Sequence, residues 1–490
     1  MEVLQRTANR GSISTGYDID NSLKFEPDNS EYLGKTPTSS GNRRTFTISM
    51  WIKRTEIGVD SYLMEAGDGD YNQSDRTLIK FDSTDNFRFG GGSAYQRTTN
   101  RVFRDTSAWY HIVMAVDTTD STAANRLKLY VNGVQETSFS TSADPSQNFQ
   151  YAFCKDDEHT IGYNHTDNAS YYPGYMSEVI LVDGQQLAPT SFGEFDDDSG
   201  IWIPKNVSGL SFGTNGFYLD FKDASNLGND ASGGTDFTRY NISSADQAID
   251  TPTNNFAIIS PSMRDNHETL YSTLTEGGTK FRATAHDTWI TAVSSIGVTK
   301  GKWYAEFKVI GARPNNFWGI ASMEQLNNNS GYSTGNGSHL GQSGKNWSIG
   351  YYQANGNLFE VQNSGYTLTT GWGGVVSQNA VVSVALDMDN HNLYIAINNT
   401  YQNSGDPTSG ATGTGAISFD DTETVAIANS GYSLGSGNDT ITGVNFGGYV
   451  TGGMYSQATD ENGYGAFRYA PPSGYYALCG KNLAEFGGTA

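Results

Sequence analysis

The sequence predicts an all-β chain: two antiparallel β-sandwich (jelly-roll) domains in tandem, joined by an ordered connector. Three observations carry this. Short apolar segments alternate with period two, the spacing that puts one face of a strand on a core. The composition is turn-rich and aromatic-rich, with 57 Gly, 29 Tyr and 24 Phe among 490 residues and only 17% charged. No long segment carries a helical apolar stripe. Finally, one hairpin design occurs twice. In WYHIVMAVDTTDSTAANRLKLYVNGV, Ile112, Met114 and Val116 share a face, as do Leu127, Leu129 and Val131, and Asn132-Gly133 follows. Asn-Gly tolerates positive φ at both central turn positions and is the strongest short hairpin signal. The design returns in VVSVALDMDNHNLYIAINNT, Val381 to Thr400.

Taken in order, residues 1–20 are polar, include two Arg and have little to bury. They read as a docking arm that orders on a larger partner, or as a frayed terminus. The first sandwich spans 21–204. After a Gly41-Asn42-Arg43-Arg44 turn, FTISMWIKR alternates strongly, and further strands are expected at 77–81, 86–90, 109–117, 126–132, 159–163 and 175–182. Short strands at this spacing, closed by Gly, Asp or Asn, mark a sandwich or jelly roll. Residues 205–260 are rich in Ser, Asn, Gly and Asp, with strand character only at GFYLDF. They are expected to form an ordered connector, because their aromatic and Ile side chains need burial. The second sandwich covers 261–490. Trp303, Ala305, Phe307 and Val309 share a face of KWYAEFKVI, and strands follow at FWGIAS, 348–352, 358–361, 381–387 and 393–397. Pro471-Pro472 forbids a helix and fits a corner that returns an end strand to the sheet.

The formal net charge of −22 argues against nucleic acid or anionic membrane as direct partners. No apolar run approaches the ~20 residues that span a bilayer, and the N-terminus lacks the apolar core of a signal peptide. Cys154 and Cys479 make no disulfide framework, which fits synthesis in a reducing cytoplasm.

WYHIVMAVD…RLKLYVNG, preceded by FTISMWIKR, resembles the laminin-G/concanavalin-like lectin fold over 21–204. KWYAEFKV…FWGIA, IGYY and VSVALDMDNHNLYIAINN resemble an SPRY domain over about 260–486, with Asn398-Asn399 replacing that family's Asn-Gly turn. Across nearly the whole chain, DNSLKFEPDNSEYLGKTPTSSGNRRTFTISMWIKR, GFYLDFKDASNLGNDASG…DTPTNNFA and AFRYAPPSGYYALCGKNL resemble virion structural and fibre proteins of tailed, especially marine, bacteriophages. That resemblance implies a virion location after synthesis in the host cytoplasm. It also implies partners among capsid, portal/adaptor or tail proteins, met through the 1–20 arm, and a homo-oligomer with a trimer as the candidate state.

The best metal candidate is Asp68-Gly-Asp70-Tyr-Asn72-Gln-Ser-Asp75, where Asp68, Asp70 and Asp75 could converge on calcium, the one cofactor candidate. It is not an EF-hand: Gln73 stands where the turn glycine belongs and Ile79 where the bidentate Glu belongs. A solvated loop is the rival reading. No paired-carboxylate motif of concanavalin-like glycosidases is present, and no His-Glu-x-x-His, paired Cys-x-x-Cys or Gly-x-Ser-x-Gly occurs. The expectation is therefore a non-enzyme. Sugars bind on aromatic platforms with polar rims, and Tyr171, Tyr172, Tyr175 and Trp372 lie in loop-like surroundings that suit this. Core or protein contacts are the rival reading for each. Together these readings lead to a non-enzymatic fibre or knob that contributes to adsorption on host-surface glycans. The alternatives are a purely structural capsid decoration or tail-assembly protein, and a polysaccharide depolymerase.

Overall fold

The structure, a computed structural model, describes residues 16–487 apart from 69–75, 92–93, 167, 198, 265–271, 285–287, 324–338, 345–346, 364, 421–423, 435–438 and 450–457. Strands make up 44% of the chain and helix 7%, so the all-β class holds. The chain divides into two compact units, one running to Thr253 and the other from Asn254. Most of the expected docking arm, residues 1–15, lies outside the described residues.

The first unit packs two eight-stranded sheets face to face. One runs in the order Val134–Gln135, Leu127–Val131, Tyr110–Asp117, Thr45–Arg54, Gly174–Asp183, Ser22–Phe25, Gln247–Ala248, with Phe217–Leu219 also paired to Gly174–Asp183. The other runs Phe139–Ser142, Ala94–Val102, Asn86–Gly91, Thr77–Phe81, Ser61–Gly67, Glu158–Ile161, Tyr32–Lys35, Thr238–Tyr240. The hairpin residues meet their expectation: Ile112, Met114, Val116, Leu127, Leu129 and Val131 all sit in the core between the sheets. Asn132 and Gly133 take φ of 48° and 76°, the positive values that a tight hairpin turn requires.

The stretch expected as a connector is built into this unit as far as Thr253. Three of its segments, Phe217–Leu219, Thr238–Tyr240 and Gln247–Ala248, extend the sheets, and Phe217, Leu219, Phe221, Leu227, Phe237 and Ile242 enter the core. The reason is the one that argued for order: a chain that carries this many large apolar side chains gains more by adding them to a neighbouring core than by leaving them in water.

The same stretch seals the outer face of the first sheet. Lys53, fully buried, donates to Asp250 at 2.6 Å, and Trp109 Nε1 donates to the other oxygen of that carboxylate at 2.9 Å. Lys24, also fully buried, pairs with Glu31 and with Asp246 (3.2 and 2.8 Å). A hairpin of Gly193–Phe195 and Trp202–Pro204 covers His111, which lies stacked between Trp51 and Trp202. Trp202 Nε1 donates to His111 Nδ1 (2.9 Å), so Nε2 carries the proton and donates to Ser49 Oγ (2.8 Å). Burial lowers the His111 pKa to about 3, and the ring stays neutral.

The second unit is a sandwich of a seven- and a nine-stranded sheet. The first is ordered Ile259–Arg264, Thr288–Ser294, Val425–Ser433, Asn316–Ser322, Ser348–Tyr352, Leu358–Gln362, Gly365–Thr369. The other is centred on Lys302–Val309, flanked by Ile441–Asn445 and Val381–Asp387. Trp303, Ala305, Phe307 and Val309 form part of its core, as their alternation predicts. Asn398 and Asn399 adopt φ of 46° and 65°, so Asn-Asn makes the same positive-φ turn as Asn-Gly. After Pro471-Pro472, Tyr476–Ala477 pairs in parallel with Trp303 and Tyr304. A short α-helix, Gly480–Phe486, follows.

Candidate functional site

On the Tyr32–Lys35 strand Leu33 faces the core, which turns Tyr32 and Gly34 outward. The neighbouring strand Thr238–Tyr240 sets Tyr240 directly opposite Tyr32. Their rings stack at 4.1 Å with an interplanar angle of 3°. Tyr163, just past the end of Glu158–Ile161, covers the opposite side of Tyr32 at 4.4 Å, and Tyr171 stacks on Tyr163 at 4.6 Å and 19°. Four phenols in the order Tyr240, Tyr32, Tyr163, Tyr171 thus form one ladder on the outer face of the second sheet. Tyr240, at 38% exposure, is its open end. Such pairs contribute about 0.5–1.5 kcal/mol each beyond area burial.

The rim is polar. Glu158 Oε2 lies 2.9 Å from His165 Nε2, and the Tyr163 hydroxyl donates to Asn168 Oδ1. Gly34 lets the Tyr240 ring and the Glu158 carboxylate lie close against the strand. A Cβ there would come within 3.1 Å of the Tyr240 ring and 3.2 Å of Glu158 Oε1. Burial, then the neighbouring Tyr240, Glu158 and Tyr171, raise the Tyr32 phenol to about 12, and burial, then Tyr171, Tyr32 and Glu158, raise that of Tyr163. Both hydroxyls therefore remain neutral at biological pH; that of Tyr32 can donate to and accept from a sugar hydroxyl, while the Tyr163 proton is committed to Asn168.

The loop that carries Tyr163 and Tyr171 is pinned from below. Arg76 makes a forked pair with Glu65 (2.7 and 3.2 Å) and donates to Asn164 Oδ1 (2.8 Å), while Thr166 Oγ1 donates to Glu65. All three of Glu65, Arg76 and Asn164 are buried. A bidentate guanidinium–carboxylate pair fixes orientation as well as distance, so the loop presents its rings on a rigid base.

Of the residues expected to contact sugar, Tyr171 is in the ladder. Tyr172 and Tyr175 are not: both are fully buried core residues. Tyr172 points opposite to its neighbour, packs edge-on to Phe25 and donates to the Lys53 carbonyl at 3.0 Å. Tyr175 lies on the outer face of the first sheet, where Trp109 and Lys53 enclose it beneath the Asp250 segment. Trp372, in the second unit, is half-buried and edge-on to Tyr351 at 5.8 Å. Asp68 is exposed after Ser61–Gly67, and Asp70 and Asp75 lie outside the described residues. Among the described residues no group of three or more His, Cys, Asp or Glu side chains is placed to hold a metal ion. Sequence reasoning missed Tyr32, Tyr163 and Tyr240. Tyr32 had only the signal of a Tyr on the polar face of a short strand, and Tyr163, just past a strand end, and Tyr240, in a three-residue strand, had none.

Residues 28–186 match the family model of the concanavalin A-like lectin/glucanases superfamily of laminin-G type. The first unit therefore carries a lectin-like fold. Among solved structures, the chain is similar to the SPRY domain of human HERC1, at 14% identity over 38% of this chain and 96% of that one, TM-score 0.27. It is also similar to a candidate carbohydrate-binding protein from Bacteroides ovatus, at 17% identity over 46% of this chain and 58% of that one, TM-score 0.30. A third likeness is to the heptameric SAP-like pentraxin of Limulus polyphemus, at 17% identity over 35% and 80%, TM-score 0.27. At these identities no functional residue carries over. No curated protein matches the chain.

Proposed function

We propose that the protein is a non-catalytic, glycan-binding component of a tailed-bacteriophage particle, and that it contributes to adsorption on the host surface. The observation that carries the glycan-binding part is the stacked ladder Tyr240–Tyr32–Tyr163–Tyr171 with its rim of Glu158, His165 and Asn168 on a lectin-like sheet. An aromatic surface receives the apolar face of a sugar ring, and neutral phenols with fixed polar neighbours orient its hydroxyls. The virion setting is supported by the chain-wide resemblance to phage fibre and structural proteins.

The test is binding of the full chain to host cells and purified host-surface glycans, compared with Tyr240→Ala and Tyr171→Ala. Wild-type binding and a loss of roughly two- to ten-fold in the variants are expected, since stacking contributes about 0.5–1.5 kcal/mol. No binding, with particle assembly still dependent on the chain, would instead assign a structural role. Release of reducing ends from host polysaccharide would overturn the non-catalytic reading. Binding through rings and hydroxyls needs no metal, so chelation is expected to leave affinity unchanged. Particles labelled with antibody to the chain test the virion location, and removal of residues 1–20 is expected to prevent incorporation without unfolding the protein.

A further inference from the structure

The outer face of the seven-stranded sheet carries a second aromatic group, built around an arginine. Trp289 and Tyr432 stand opposite each other on paired strands, rings 5.0 Å apart, and Tyr352 lies 6.2 Å from Trp289, edge-on. Phe317 holds Tyr352 from behind, stacked at 4.5 Å and 17°. The three outer rings are half-buried, so each keeps part of its surface open. The Arg313 guanidinium sits over Tyr432, 5.0 Å from the ring centroid, and its charge reaches the Tyr352 hydroxyl.

Several of the described arginines are held by a carboxylate, and Arg43 and Arg126 by backbone carbonyls. Arg54, Arg76, Arg97, Arg101, Arg104 and Arg282 each pair with a carboxylate. Arg313 pairs with none among the described residues, and its Nε is buried without a hydrogen-bond partner. The chain carries 52 acidic residues against 30 basic ones. A guanidinium held by an aromatic face keeps its planar fork directed and loses little freedom when a planar anion docks.

We propose that this cluster is a binding site for a carboxylate-bearing sugar of the uronate type. The guanidinium fork takes the carboxylate in a two-point, charge-assisted contact. Trp289, Tyr352 and Tyr432 receive the apolar face of the pyranose. A neutral sugar leaves the Arg313 charge unmet, and a flexible acidic peptide offers no flat face to the rings, so the pairing of ring and charge selects an acidic saccharide. The site uses none of the tyrosine-ladder residues and stands or falls separately from them.

The test is titration of the full chain with a galacturonate oligosaccharide, followed by tryptophan fluorescence and calorimetry. The same oligosaccharide with its carboxyls reduced and an Asp/Glu peptide of similar charge serve as comparisons. Saturable binding of the uronate, with the reduced form and the peptide at least about ten-fold weaker, is expected. Arg313→Gln should weaken uronate binding by a similar factor, Arg313→Lys less, and Tyr240→Ala not at all. Affinity should fall as salt rises. No uronate binding by the wild-type chain, equal binding of the carboxyl-reduced form, equal binding of the peptide, or an unchanged Arg313→Gln would each overturn the proposal. The reduced-sugar comparison needs no variant and so stands even where Arg313→Gln folds poorly.

Discussion

Glu178 offers the sharpest physical test of the fold. It lies in the Gly174–Asp183 strand at the irregularity between Ser177 and Ile180, with φ of 49°, and is 4% exposed. One carboxyl oxygen accepts from the Tyr218 hydroxyl at 2.8 Å, and the other is buried without a partner. Burial, opposed by the Tyr218 hydrogen bond and assisted by Asp220, raises its pKa from an ordinary 4.5 to about 7. A folded-state pKa above the unfolded one means that the folded protein binds more protons in that window, so the stability Glu178 contributes is complete below about 4.5 and is lost as pH rises through about 7. At about 1.4 kcal/mol per pH unit, the loss is on the order of 3 kcal/mol. Glu178→Gln imitates the protonated acid in size and hydrogen bonding but cannot ionise. The variant is expected to match wild type at pH 4 and to exceed it by about 3 kcal/mol at pH 8, or roughly 6–12 °C in Tm for a unit of this size. Urea titration at both pH values, read by hydrogen exchange on peptides from the first unit, gives the difference directly. Parallel pH profiles for the two proteins, or a variant less stable than wild type at pH 8, would refute the reasoning.

Asp250→Asn keeps the acceptor for Trp109 but leaves the Lys53 cation buried without its counter-charge. Breaking one side of a buried pair costs about 3–5 kcal/mol. Burial already holds the Lys53 pKa below its ordinary 10.5, so the unfolded state binds the extra proton and the variant's deficit should shrink as pH rises toward 10.5. A loss under about 1 kcal/mol by urea unfolding at pH 7 would contradict this. Gly34→Val suits a strand backbone but pushes against the Tyr240 ring and Glu158, which lie 3.1 and 3.2 Å from its Cβ position. Glycan binding should fall at least about ten-fold with the far-ultraviolet dichroism spectrum unchanged. Glu306→Ala removes the acceptor for the Arg468 and Tyr469 backbone N–H groups (2.7 and 2.8 Å) and for Tyr304. Each orphaned donor costs about 1–3 kcal/mol, and hydrogen exchange should show protection lost first in the 466–479 segment.

Local patterning carried the hairpins and most strands. The segment 77–81 is a strand over those same residues, as are 348–352 and 381–387, because in each the apolar face is written in every second residue. Asn398-Asn399 was legible as a turn for the same local reason. What lay beyond reach was coverage. Lys24, Lys53 and Tyr175 sit on the polar side of their strands, yet all three are fully buried, because the distant segment around Asp246 and Asp250 returns over that face. Thr238–Tyr240 is three residues long, too short for alternation to register, whereas Phe217–Leu219 lies within GFYLDF, the one part of its stretch with legible strand character. The helix Gly480–Phe486 has too few turns to show a stripe. The ladder joins Tyr32, Tyr163 and Tyr240 from distant parts of the chain, and only sheet order brings them together.

The same geometry explains why clustered aromatics in a loop misdirected the choice of residues. In Tyr171-Tyr172-Pro173-Gly174-Tyr175 the chain re-enters a strand, so neighbouring rings point to opposite sides. Tyr172 anchors the re-entry by its bond to the Lys53 carbonyl, and Tyr171 is thereby held at the end of the ladder. The buried ring is thus what positions the outward one. An outer-face tyrosine such as Tyr240 can be removed without opening the core between the sheets, since Leu33 and Ile161, not the ladder, fill the space below. Stability and the proposed ligand binding are therefore separable at this surface, and variants that change one without the other distinguish a recognition site from a packing cluster.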